Sequence, residues 1–173
     1  MKKKIIEWFE IEHELGMAKR YPGFAFQTWC QINEDKIKKV LDVVREKSNP
    51  SKEYRKFTSD IDVLKKKYCV NGEDGKPLLE TTETGKRYTF EGENKTLFDE
   101  AVKELNVENE KIVQEYVDQI NEYYKYITEE EMEFNIKLLN FKYIPVQFFE
   151  DNLDKASTFR EKCFDLIDTS EFE

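Results

Sequence analysis

Residues 26–68 read FQTWCQINEDKIKKVLDVVREKSNPSKEYRKFTSDIDVLKKKY, and the fold turns on this stretch. Its apolar residues are Trp29, Ile32, Ile37, Val40, Leu41 and Val44, then Tyr54, Phe57, Ile61, Leu64 and Tyr68. They stand mostly three to five positions apart among charged residues, the period of one apolar stripe along a helix. Ser48-Asn49-Pro50-Ser51 interrupts the pattern. Pro50 has no N–H to donate and disfavours the helical region at Asn49. The pattern therefore predicts two helices, with Asn49 capping the second and Pro50 in its first turn.

Toward the N-terminus, Ile5, Trp8 or Phe9, Glu12 and Leu15 fall at helical spacing. They predict a short docking helix that Gly16 ends. Tyr21-Pro22-Gly23 predicts the turn into the long run, because Pro22 presets one backbone angle and Gly23 accepts the left-handed one.

Toward the C-terminus the texture changes at Cys69, where Asn71-Gly72 and Asp74-Gly75 argue against a helix. Residues 78–82 and 86–90 are short runs rich in β-branched and aromatic residues, joined through Glu83-Thr84-Gly85, and predict a hairpin. Two strands alone are marginal in water, so the hairpin needs the helices or a third strand. Asn94 caps a predicted helix over 95–105. Ile112, Tyr116, Ile120, Tyr124 and Ile127 then repeat at helical spacing, although a third strand at 112–117 stays open. Thr128-Glu129-Glu130-Glu131 has the form of a capping box and predicts a further helix, with Met132, Ile136 and Leu139 inward, stopping near Asn140. Residues 144–146 read as extended. Residues 151–167 read as a terminal helix with Leu153, Ala156, Phe159, Cys163, Phe164 and Ile167 on its apolar side, and residues 168–173 as a loose end.

The expectation is one mainly helical α+β domain over residues 1–173. Residues 1–68 form a long helical hairpin or kinked rod, 70–92 a small antiparallel β-hairpin, and 94–167 a second helical part. At 38% charged residues the chain would tend to disorder if aromatics were scarce, but 13 Phe, 9 Tyr and 2 Trp supply the apolar area to fold it. No apolar run approaches the roughly 20 residues needed to span a bilayer, and acids interrupt the segment after Lys2-Lys3-Lys4 where a signal peptide stays apolar. A cytoplasmic protein without membrane contact is expected. Cys30, Cys69 and Cys163 are odd in number and far apart, which predicts reduced, buried thiols.

No catalytic or metal-binding constellation stands out. His13-Glu14-Leu15-Gly16-Met17 starts like a zinc protease helix, but Met17 holds the position where a second histidine must share the face. His13 is the only histidine and reads as a surface residue of an amphipathic helix. Residues 71–75 lack the alternating oxygen ligands of a calcium loop, and Gly72, Gly75 and Gly85 do not form a phosphate-cradling pattern. Asp60 and Asp62 lie two apart on a helix, pointing different ways, which is wrong for paired acid–base work. We expect no enzyme activity, no cofactor and no metal. The lysines of 36–67 are interleaved with acids, so direct nucleic-acid binding is not expected either.

Charge is unevenly divided. Residues 1–68 hold 16 Lys and Arg against 11 Asp and Glu, and residues 69–173 hold 12 against 26. The two halves should attract each other, within one fold, between copies, or through a partner. The most acidic stretch is 108–133, with four tyrosines among its acids. An acidic surface with an aromatic anchor can engage a basic groove on another protein. Glu129, Glu130 and Glu131 are the candidate charges. Tyr123 is the candidate anchor, because it falls off the stripe through Tyr116 and Tyr124. The competing reading is a helix with wet acids and inward tyrosines.

Several of these features occur in one order: the helical run 26–68, Lys67-Tyr68, Asn71-Gly72-Glu73-Asp74-Gly75-Lys76, Gly85-Lys86-Arg87-Tyr88-Thr89-Phe90, and Phe98-Asp99-Glu100 before an acidic segment. In this the chain resembles a family of small proteins encoded by phages and prophages of low-GC bacteria, over about half its length. The resemblance implies no catalytic residues. The family has no assigned function, and two classes of role remain: a phage or mobile-element protein that binds and blocks a host or defence protein, favoured by the acidic, tyrosine-bearing surface, or a virion or assembly accessory that associates with its own copies, favoured by the division of charge. The sequence leaves the oligomeric state open.

Overall fold

The computed structural model describes residues 1–83, 85–150, 153–168 and 170, and only the backbone of 149–150 and 153–157. In chain order the elements are β1 (Lys2–Lys4), α1 (Ile5–Ala18), α2 (Phe24–Glu46), α3 (Lys52–Tyr68), β2 (Leu79–Thr82), β3 (Gly85–Tyr88), α4 (Gly92–Glu108) and α5 (Glu110–Glu129). They continue with β4 (Glu131–Glu133), β5 (Leu139–Asn140), α6 (Val146–Glu150), α7 (Leu153–Cys163) and β6 (Ile167–Asp168). The fold is mainly helical α+β. Among the described residues the strands pair as antiparallel β1–β4, the antiparallel hairpin β2–β3, and parallel β5–β6. The chain forms two compact units, Met1–Ser48 with Asn121–Glu173, and Asn49–Ile120.

In the first unit α1 packs on α2 and α7. Trp8, Ile11 and Leu15 of α1, Phe26, Ile37 and Leu41 of α2, and Phe159 of α7 are fully buried. Each such side chain is worth about 1.5–3 kcal/mol for area removed from water. Phe148 of α6 lies edge-on to Phe159 with centroids 4.9 Å apart and 5.7 Å from Phe26, which ties α2, α6 and α7 together. Glu12, nearly buried on α1, is bonded to the Arg45 guanidinium of α2, which also reaches Asp42 at 2.6 Å. Gly16 lies inside α1 rather than ending it, and the helix continues to Ala18.

The predicted helix over 129–140 does not form. The Thr128 hydroxyl, expected to cap it, donates back to the Tyr124 carbonyl at 2.8 Å, so α5 runs on to Glu129. The chain beyond it is extended because its carbonyls accept from tertiary donors. Glu130 O accepts from Ile5 N at 3.0 Å, Met132 O from Trp8 Nε1 at 2.9 Å, Lys137 O from Trp29 Nε1 at 2.7 Å, and Asn135 O from Lys36 Nζ. A buried indole needs an acceptor. Here both tryptophans find theirs in this one segment, whose Phe134 side chain is buried 4.6 Å from the Trp8 ring.

In the second unit α3 packs on α4. Ser51, not Asn49, caps α3: its Oγ accepts from Tyr54 N at 3.1 Å, and Pro50 lies ahead of the helix. Phe57 is buried, and Tyr54 stacks on Tyr116 of α5 at 4.0 Å. Residues 112–117 are helix, so no third strand comes from there. The hairpin is braced instead by Val70, whose N–H donates to Thr89 O at 2.9 Å and whose carbonyl accepts from Leu78 N at 2.7 Å. In α4, Asn94 sits within the first turn, while Glu91 holds the cap position.

The terminal helix ends at Cys163, a 3-10 turn follows at Phe164–Leu166, and Ile167 enters β6 against Leu139. Phe159 and Cys163 are buried as expected, whereas Phe164 is exposed. The positions expected inward at Leu153 and Ala156, and most of the expected loose end, lie outside what is described. All three cysteines are free and buried.

Candidate protein-binding surface

The last turns of α5 carry the acidic, tyrosine-bearing segment. At about 100° per residue, position 123 lies only about 20° from position 112 around the helix, while position 124 lies about 120° away. Successive steps of four therefore drift off the stripe. The structure follows this arithmetic: Tyr123 packs against the buried core together with Tyr126 and Ile127, and Tyr124 is 59% exposed. Burial pushes the Tyr123 phenol above its ordinary value. The Lys47 ammonium covers the Tyr126 ring at 4.1 Å. The outward orientation expected of Tyr123 thus belongs to Tyr124, whose ring meets Tyr123 edge-on at 5.9 Å.

The three candidate carboxylates are separated by the end of the helix. Glu129 closes α5, Glu130 follows it, and Glu131 begins β4; all three are exposed. The sequence places these acids at a helix start, where the dipole offsets them. They sit at a helix end instead, where the backbone carbonyls already present partial negative charge, and the last turn of α5 holds no basic residue. Glu129 and Glu130 make no ion pair with any described residue. Glu131 differs. Its carboxylate lies 2.6 Å from Lys2 Nζ, and that hydrogen bond and charge hold it below the usual carboxylate range. Across the ladder Lys2 stands opposite Glu133 and Lys4 opposite Glu131, a cross-strand charge pairing that joins the two segments.

The site thus offers two uncompensated carboxylates at a negative helix end, with one exposed phenol a turn and a half away. It has no nucleophile held by a base; what it can do is attract and hold cationic groups. His13 is exposed on α1 and lines a cleft of about 370 Å³ with Met17, Arg20, Tyr21 and Phe148. Among the described residues no three His, Cys, Asp or Glu side chains converge as a metal site, and no helix is long and apolar enough to cross a membrane. Comparisons with protein-family models, curated proteins and solved structures find no match.

Proposed function

We propose that this chain is a non-enzymatic binding protein that engages a basic surface of another protein through the acidic end of α5. The observation that carries the reading is the placement of Glu129 and Glu130, unpaired and exposed at a helix C-terminus. There their charge adds to the dipole, and a Lys- or Arg-rich groove supplies the missing counter-charge. Exposed Tyr124 provides the aromatic contact that interfaces favour. With the phage or prophage origin that the resemblance implies, the partner is a host or defence factor and inhibition the outcome, a reading carried by the acidic surface with its aromatic contact and not by any function assigned to the family.

Self-association in a virion or its assembly is the alternative. Its warrant was the division of charge along the chain, which could align copies head to tail. Inside the first unit, bases of the first half already meet acids of the second, through Lys2 with Glu131 and Lys3 with Asp165 at 2.6 Å. That leaves less unbalanced charge to join copies. The test between the two is capture from host lysate, compared with mass spectrometry of purified particles. A host protein retained by wild type but not by E129K/E130K supports the inhibitor, and the chain in particles without such a host protein supports the assembly role.

A further inference from the structure

Around α3, at about 100° per residue, the side chains sort by charge. Buried Phe57 and half-buried Tyr54, Ile61, Leu64 and Tyr68 fall within about 80° of one another and form the inward face. Lys52, Arg55, Lys56 and Lys66 fall within about 60° of the opposite direction, with Ser59 at its centre, and all five are exposed. The acids interleaved with these cations in the sequence are turned away from the face: Glu53 and Asp60 lie about 100° or more from its centre. Asp62 stands at its edge, where Lys65 holds the carboxylate at 2.8 Å. None of the four cations makes an ion pair with any described residue. Arg55 donates its Nε–H to the Pro50 carbonyl at 3.1 Å, which leaves its terminal nitrogens without a described partner.

The four cations extend over about 21 Å of helix. Charges strung out in this way cannot gather on one small anion; they match a polyanion lying along the helix. The composition of the face narrows the partner. Protein interfaces are enriched in aromatic side chains and depleted of lysine, and the one large apolar side chain on this face is Val63. A single nucleic-acid strand is held by rings on which its bases stack, and every ring of α3 belongs to the inward face. A duplex needs neither, since it presents about one phosphate charge per 1.7 Å of its axis to Lys, Arg and Ser side chains. We propose that the outer face of α3 binds the phosphate backbone of a nucleic-acid duplex. The contact is independent of base sequence, because α3 carries no Asn or Gln to read base edges. The net charge of −9 opposes long-range attraction, so the contact is local and of low affinity. Nothing in it rests on the acidic end of α5.

The test is fluorescence anisotropy of a labelled DNA duplex of about 20 base pairs, titrated with the full chain at about 50 mM salt. Binding should saturate, be equal for two duplexes of unrelated sequence, and weaken with salt along a log–log slope of about −3 to −4, as for four phosphate contacts. Lys52→Gln, Lys56→Gln and Lys66→Gln together should weaken it at least about tenfold and bring the slope to about −1. Arg at the same three positions should bind as well as wild type, and Lys38→Gln with Lys39→Gln, exposed on α2, should change nothing. All these positions are exposed, so the variants should melt like wild type. An unlabelled single strand, or poly-L-glutamate at equal charge, should displace the labelled duplex at least about tenfold less well than unlabelled duplex does. The proposal is overturned if the duplex does not bind at about 0.5 mM protein, if the Gln variant binds undiminished, if the Arg variant loses binding, or if one duplex sequence is preferred about tenfold. Equal competition by the single strand or by poly-L-glutamate also overturns it, and assigns the face to a strand or to an acidic protein instead.

Discussion

The buried indole of Trp8 donates its Nε1–H to the carbonyl oxygen of Met132 across 2.9 Å, joining the first helix to a segment 124 residues away. The same segment accepts from Trp29 at Lys137, so two tryptophans hold one extended strip of chain against α1 and α2. Replacing either by Phe keeps most of the apolar area but leaves a carbonyl without its donor, at a cost of about 1–3 kcal/mol. Urea unfolding should show this loss for Trp8→Phe and Trp29→Phe. Phe24→Ala, at a side chain 86% exposed, should change stability by less than about 0.5 kcal/mol.

The Glu12–Arg45 pair joins α1 to α2, with the guanidinium 4.8 Å from the centre of the Phe9 ring. Removing the cation strands a nearly buried carboxylate. Arg45→Ala should therefore destabilise, by less than the roughly 3–5 kcal/mol of a fully buried pair because the Arg45 side chain is 39% exposed, and adding Glu12→Gln should recover part of that, because the uncompensated charge is gone. A double-mutant cycle by denaturant unfolding measures the coupling; additive losses would show that the pair contributes little beyond its separate packing.

Burial pushes the Cys30 thiol up from 9.0 to about 12, with the nearby Glu34 acting in the same direction. The folded-state value is raised, so the contribution to stability is complete below pH 9.0 and falls as pH rises from there toward about 12. Over that window the unfolded chain releases a proton that the folded one keeps, which costs about 1.4 kcal/mol per pH unit per thiol. Thermal melts of wild type should fall more steeply above pH 9 than those of Cys30→Ala. A thiol reagent at neutral pH should label Cys30 only when the protein unfolds.

Tyr123 and Tyr124 are adjacent in sequence and opposite in role. Tyr123→Ala should lower stability by about 1–3 kcal/mol, because the side chain packs on the core. Tyr124→Ala should leave stability within about 0.5 kcal/mol and act on binding instead. Paired measurements of melting and partner affinity separate the two, and equal effects of both variants on stability would contradict this assignment.

How far these features were legible depended on where the deciding interaction lay. The helices of 26–68, the turn at Gly23 and the hairpin follow from local period and turn chemistry, which neighbouring residues carry in full. The cap at Ser51 was within reach too, since Ser is as good a cap as Asn and stands after the proline rather than before it. Helix arithmetic would also have found Tyr124, by following 100° per residue instead of a run of fours. Residues 129–140 were not legible in the same way. Their local pattern favours a helix, and what holds them extended are Trp8, Trp29 and Lys36, more than 90 positions away. The charge of the candidate surface followed that error: the same glutamates that would be offset at a helix start stand unpaired at a helix end.

The measurement that tests the central claim most directly is partner association by wild type and by E129K/E130K at low and physiological salt. Glu131 is left in place, because its reversal would set a third cation beside Lys2 and Lys4. A host protein captured by wild type should associate about tenfold more slowly with the double reversal at low salt, and the difference should shrink as salt screens exposed charge beyond about 8 Å. Both proteins should melt alike. Equal association rates that do not respond to salt, with both proteins folded, would contradict binding through the acidic end of α5.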